Sequence, residues 1–265
     1  MDTNNKVKLV QEMVTQGAIP QYLYRFRPIN EYLDDIISNN QLWFSKPVDF
    51  NDPFDCNITI DTNNTNLEIS KYINDQVSAK EPNLDYDTIK RMREVFSDPN
   101  HRKKIMEQSR QKAVKSMGIC CFTKGWNNIL LWSHYTNSHK GVALKFNLNI
   151  DPHFFLVPGN VIYPSDNKYP IYNHLRDSYK DLLIKLMITK SNIWSYEEEV
   201  RVMKNTSGNH TFKKECLAEV VFGVKCSESD IDHIKKLLFD KGYVNVSFKK
   251  AVLNDNEFSL KLVPI

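Results

Sequence analysis

Between residues 61 and 118 the chain changes character, and that change limits what it can fold into more than any other feature. The stretch is polar, has almost no glycine, and shows helical periodicity in "LDYDTIKRMREVF" (84–96) and "HRKKIMEQSRQKAVKSM" (101–117). On either side the pattern is that of strands. "YLYRFR" (22–27) and "QLWFS" (41–45) come before it. "MGICCFT" (117–123), "GVALKFN" (141–147), "EVRVMK" (199–204), "LAEVVFG" (217–223), "VNVSFKKA" (244–251) and "FSLKLV" (258–263) come after. Short helices are predicted over 5–17, stopped by Gly17 and Pro20, over 29–38 with Asn30 as a cap, and around "NILLWSHY" (128–135). Two more are predicted over 177–190 and over 228–242, the last ended by Gly242. No repeat, low-complexity tract or linker breaks the pattern. The reading is one α+β domain over 1–265 with a helical insertion at 61–116.

The 265 residues, 41% hydrophobic and 11% aromatic, suffice for a substantial core. Lys and Arg number 35 against 32 Asp and Glu, and the resulting net charge of +3 is too small to argue for a nucleic-acid or membrane partner. No stretch approaches the roughly 18 apolar residues of a membrane span, and "MDTNNKVKLV" lacks the basic-then-apolar order of a secretory signal. A cytoplasmic location with no membrane partner is expected. Cys56, Cys120, Cys121, Cys216 and Cys226 show no CxxC or Cys/His spacing, which reads as buried free thiols in a reducing compartment.

Four segments carry candidate chemistry. In "WSYEEEVRVM", an extended run from Tyr196 to Met203 puts Glu197, Glu199 and Arg201 on one face and Glu198, Val200 and Val202 on the other. Two carboxylates beside a guanidinium suit a cationic or electron-poor centre, and an exposed edge strand with solubilising acids is the plain alternative. In "YRFR", Arg25 and Arg27 share a strand face and suit a phosphate or carboxylate, or are simply solvated. In "KPVDFNDPFD", a turn-rich loop, Asp52 and Asp55 are metal candidates that Asx turns explain equally. In "LWSHYTNSHKG", Ser133 beside His134 makes no triad by adjacency, His134 and His139 alone make no zinc site, and Trp132 and Tyr135 fit a core as well as a ligand. GxGxxG, GxxxxGK[ST] and GxSxG are all absent.

Taken in order, "LYRFRP", "LWFSKPVDFNDPFD", "CFTK", "LLWSHYTNSHKGVALKF" and "KSNIWSYEEEVRVM" resemble the domain-of-unknown-function family 2971, a widespread bacterial family. The motifs span residues 23 to 203. More distantly, the ordering resembles the ADP-ribosyltransferase fold: an Arg on the first strand, a hydroxyl at the end of a middle strand, and Glu-x-Glu on a later one. The resemblance implies an ADP-ribosyltransferase-like mixed sheet core with NAD as substrate and no metal. Arg25 or Arg27 would hold its phosphate, Thr123 the ribose side, and Tyr24, Trp132, His134 or Tyr135 would line the nicotinamide site. Glu197 and Glu199 would stabilise the oxocarbenium-like charge as nicotinamide leaves. The acceptor would be water or a macromolecule, protein or nucleic acid, in a toxin or phage-defence setting. The usual Ser-Thr-Ser signature is reduced here to "CFTK", and Arg201 offers Glu199 an internal salt bridge.

Two other readings stay open. One is a noncatalytic module that binds a nucleotide or single-stranded nucleic acid through arginines and the Trp/Tyr cluster, with "HRKK" and "RQKAVK" as a basic face. The other is a metal-dependent hydrolase using Asp52, Asp55, His134 and Glu199.

Overall fold

The structure is a computed structural model and describes residues 3–80, 85–156 and 158–265. Two compact units emerge. The first takes in 1–45, 117–161 and 193–265, and the second 46–116 and 162–192.

The first unit is built on an eight-stranded sheet. Its strands are β1 (Tyr22–Arg27), β4 (Gly118–Thr123), β5 (Val142–Asn147), β6 (Pro158–Asn160), β8 (Glu199–Lys204), β10 (Leu217–Phe222), β11 (Ser247–Leu253) and β12 (Leu260–Pro264). They lie in the order β12-β11-β10-β5-β1-β4-β8-β6. β10 and β11 run parallel and the other neighbours antiparallel, so the sheet is mixed and the α+β class holds. A separate two-stranded sheet pairs β2 (Gln41–Phe44) with β9 (Gly208–Thr211).

Period-two alternation decides which side chains face which layer. Leu23, Phe122, Leu144, Phe146, Val200, Val202 and Val220 point to one side, into the main core. There they pack with Leu33 and Ile37 of α2 (Glu31–Asn39) and with Ile231, Ile234 and Leu238 of α8 (Glu228–Asp240). Burying such side chains stabilises by about 1.5–3 kcal/mol each, which is why these two helices are held. α2 begins as its sequence predicts: the Asn30 side chain accepts a hydrogen bond from the Leu33 amide, and Asn40 closes the helix in the left-handed region. α1 (Thr3–Thr15) adds Met13 and Val14 to the edge of this core. The other side of the sheet has a smaller core of Tyr24, Phe26, Ala143 and Val221, covered by Leu131 and Trp132 of α6 (Ile129–Tyr135).

The contact between β1 and β4 is unusual. They are in register at one pair only, Tyr24 with Thr123, whereas β1 pairs with β5 along its whole length. Beside that pair the Arg25 guanidinium spans the gap and donates from Nη1 to the Cys121 carbonyl at 2.6 Å.

The second unit contains α3 (Asn66–Lys80), α4 (Tyr86–Ser97), α5 (Pro99–Ser116) and α7 (Tyr179–Met187), with a short parallel pair of β3 (Thr59–Ile60) and β7 (Ile171–Tyr172). The segment read as a helical insertion, 61–116, therefore holds three helices within a unit that also includes 46–60 and 162–192. Asp85 caps α4 through the Thr88 amide, and Leu84, where the predicted helix began, lies outside the described residues. Arg176 ties the unit together: it pairs with Glu68 at 2.8 Å and Asp61 at 3.3 Å and donates to the Asn63 carbonyl at 2.7 Å.

The Arg176 guanidinium, first, and the Thr65 amide hold the Glu68 carboxyl down to about 2 from an ordinary 4.5. A carboxylate depressed by folding contributes stability above its unfolded pKa and loses it as pH falls through the folded one. Glu68→Gln is therefore less heat-stable than the parent above pH 4.5, and the Tm gap closes between pH 4.5 and 2. A gap that stays constant over that range, in parallel melts of the two proteins, would contradict the pairing.

Candidate functional site

Register places five polar side chains in one line across the middle of the sheet. Glu219 opposes Lys145, Lys145 opposes Tyr24, Tyr24 opposes Thr123, and Thr123 opposes Glu199. Directly opposed residues project to the same side, so Glu219, Lys145, Tyr24, Thr123 and Glu199 form a row on the face that α6 covers. At one end Glu219, 3% exposed, meets Lys249 at 2.8 Å and Lys145 at 3.8 Å. Lys145 also sits 4.5 Å above the Tyr22 ring, within cation–π reach. Burial, and after it the charge of Glu219, push the Tyr24 phenol up to about 12, so at neutral pH it can only donate or accept as a neutral hydroxyl.

At the other end the acids do not lie as an extended run would place them. Asn192–Glu197 is a 3-10 turn, Glu198 has φ 43°, and β8 begins only at Glu199. The single-face grouping of Glu197, Glu199 and Arg201 is thus corrected: Glu199 and Arg201 share a strand face, and Glu197 reaches the same neighbourhood from the turn. The cause lies in local bonding. The Thr123 hydroxyl donates to the Glu197 carbonyl at 2.6 Å, and the Asn128 amide donates to the Tyr196 carbonyl at 2.5 Å. Both carbonyls are drawn toward the end of β4 and the start of α6, so the chain turns before it can extend.

Glu197 and Glu199 are both buried, 5% and 4% exposed. Tyr135 donates its hydroxyl to Glu197 Oε1 at 2.8 Å. Arg201, fully buried, grips Glu199 with two nitrogens, Nε to Oε1 at 2.7 Å and Nη2 to Oε2 at 3.2 Å. Such a fork fixes the carboxylate plane as well as its charge. Next to it the Cys121 thiol is pushed well up, by burial first and then by the Glu199 charge, so it is no thiolate nucleophile at neutral pH.

The other sequence candidates separate. Arg25 and Arg27 do share a face of β1, but alternation turns them away from Tyr24 and hence away from the row. Trp132 is fully buried, packed edge-on against Phe26 at 5.0 Å and donating from Nε1 to the Trp126 carbonyl at 2.6 Å, so it is core and has no surface to stack on a ligand. His134 is exposed, with Nδ1 3.4 Å from the Tyr196 hydroxyl. Asp52 and Asp55 lie in the second unit, each accepting a nearby backbone amide, Phe54 at 2.9 Å and Cys56 at 2.7 Å, in the manner of turn residues. The five cysteines are free thiols, and none of the helices described is long and apolar enough to cross a membrane.

"TNSHKG" is a strained connection. Asn137, Ser138 and His139 all have positive φ (50°, 58°, 69°), an uncommon run for residues with side chains. It returns the chain from α6 to β5 so closely that a Cβ on Gly141 would lie 2.1 Å from the Arg27 carbonyl, and one on Gly223 would lie 2.2 Å from that of His139. Bonds from the Gly223 amide to Gly141 and from the Lys225 amide to His139, both 2.9 Å, close the corner.

Two residues of the row carry a sequence signal that belongs to no motif. Lys145 in "VALKFN" and Glu219 in "LAEVVF" are single charges inside apolar strands, and a buried charge requires a partner. Asn128 precedes a helix by one residue and caps it, accepting from the Leu130 amide, while its NH2 is left for Tyr196.

Residues 131–202, from α6 to the middle of β8, match the family described as "Protein of unknown function (DUF2971)", which bears out the family resemblance read from the sequence. No curated protein and no solved structure matches the chain.

Proposed function

We propose that the face under α6 carries an NAD-cleaving site of the ADP-ribosyltransferase kind. The observation that supports this reading is the transverse row with its two buried acids: neutral hydroxyls at Tyr24 and Thr123 lead to Glu197 and Glu199 at one end. Glu197, which accepts a hydrogen bond from the Tyr135 hydroxyl, is the carboxylate that faces the ribose C1′ as positive charge develops. Glu199 and Arg201 position the start of β8, and Thr123 positions the turn that presents Glu197. In the reaction the C1′–N bond breaks, its electron pair leaves with nicotinamide and neutralises the pyridinium, and water or an acceptor nucleophile adds to C1′ with loss of a proton. The loss of cellular NAD would suit the toxin or phage-defence role that the resemblance implies. Arg25 and Arg27, turned to the other face, have no part in this site.

A second reading rests on Arg201. A carboxylate forked by a buried guanidinium is already neutralised, which favours a module that binds a nucleotide without cleaving it.

Nicotinamide release from NAD, followed by mass spectrometry with cell lysate as a source of acceptors, separates the two. The cleavage reading expects release by the parent and a loss of about 10²–10³-fold in Glu197→Gln with its circular dichroism unchanged. No release by the folded parent, or equal release by the variant, returns the acids to structural roles and leaves the binding module.

A further inference from the structure

The two arginines of β1 point away from the polar row into different surroundings. Arg25 bridges to Cys121, whereas Arg27 makes no side-chain hydrogen bond, ion pair or ring contact with any described residue. Burial, and then the neighbouring charge of Arg25, push its guanidinium down to about 9, so it remains a cation at neutral pH without a countercharge. A half-enclosed cation with no partner is costly unless an anion completes it.

Arg27 lines a cavity of about 590 Å³ within the first unit, in the size range of small-ligand pockets. The other walls follow from two periodicities. On β2, Leu42 and Phe44 go into the core, leaving Gln41 and Trp43 outward, with Trp43 opposite Asn209 of β9. On α2, Leu33 and Ile37 are buried and the opposite face offers Tyr32 and Asp35 to the cavity. Trp43 and Tyr32 are 54% and 67% exposed, large rings that the fold leaves unburied. The Asp35 side chain, like that of Arg27, has no hydrogen bond or ion pair among the described residues, and the two are too far apart to pair with each other.

We propose that this cavity binds an anion carrying a planar aromatic ring and hydrogen-bond donors, of the nucleoside monophosphate class. Arg27 takes the phosphate, for which a guanidinium fork is suited. Trp43 and Tyr32 offer their faces to the base. The side-chain amides of Gln41 and Asn209 match a base edge, which presents both donors and acceptors. Asp35, an acceptor only, takes the ribose hydroxyls or an exocyclic amine and disfavours a second anionic group at that end. None of these residues belongs to the polar row, so the proposal stands apart from the NAD-cleavage reading.

Isothermal titration of the full chain with AMP, adenosine, inorganic phosphate and L-tryptophan tests it. AMP should bind, adenosine and phosphate should each bind at least tenfold more weakly, and Arg27→Gln and Trp43→Ala should each weaken AMP at least tenfold. Arg27→Gln should melt no lower than the parent, since it removes an uncompensated cation. Glu197→Gln should bind AMP as the parent does, which keeps failure of this site distinct from failure of NAD cleavage. The proposal is overturned by absence of AMP binding to the folded parent, by AMP affinity unchanged in both pocket variants, or by L-tryptophan binding more tightly than AMP. A clear drop in Tm for Arg27→Gln also overturns it, by making Arg27 a structural residue.

Discussion

Arg201→Ala lowers stability by about 3–5 kcal/mol, the cost of leaving one member of a buried ion pair without the other. Arg201 is fully buried in β8 and holds both oxygens of Glu199, itself 4% exposed, two residues away on the same strand face. Truncation removes the guanidinium and opens a void beside Cys121, its opposite residue on β4. Both effects act in the same direction. Replacing the pair together, Glu199→Leu with Arg201→Met, should recover most of the loss, because hydrophobic groups of similar volume need no countercharge. Urea unfolding of the parent, the single variant and the double variant gives the comparison. If Arg201→Ala shifts the unfolding free energy by less than about 1 kcal/mol, the pair is solvated as a surface pair would be.

Trp132→Ala is expected to cost a similar amount, about 3–5 kcal/mol, through the cavity it creates. The ring has no exposed surface, contacts Phe26 edge-on and satisfies the Trp126 carbonyl through its indole N–H. It also anchors the smaller core, where Leu131 and Trp132 are the buried residues by which α6 covers Phe26, Ala143 and Val221. Trp132→Phe keeps much of the apolar contact and loses the hydrogen bond, so it should fall between the parent and the alanine variant. Thermal melts order the three. A Trp132→Ala protein as stable as its parent would mean that the ring is accessible and available to a ligand after all.

Strand positions were legible in the sequence wherever alternation extended over six residues. "YLYRFR" and "EVRVMK" became β1 and β8 with the expected limits, and the Asn30 cap is in place. Very short strands such as β3, β6 and β7 leave no mark in the sequence, since two or three residues contain no period to detect. The same limit explains Glu197. "YEEEV" reads as extended by spacing, but Thr123 and Asn128, far away in sequence, capture its carbonyls and turn it. The faces of β1 were also legible, Arg25 with Arg27 and Tyr22 with Tyr24. Which face meets the acids depends on the order of strands, and a single chain's pattern does not encode that order. Trp132 shows the remaining ambiguity: a Trp on a short helix has the same sequence signature whether it packs inward or receives a ligand.

The one-pair junction between β1 and β4 has a mechanical consequence. In terms of load, the sheet is two plates, one of five strands and one of three, riveted at Tyr24 and Thr123, with the Arg25 guanidinium as a strut beside the rivet. The rivet is made of the two hydroxyl residues at the centre of the polar row. The ladder at that rivet is made by backbone groups, while the Thr123 hydroxyl is engaged by the Glu197 carbonyl, so a change of side chain there acts first on the turn that carries Glu197 and leaves the pair of strands that bears the load in place.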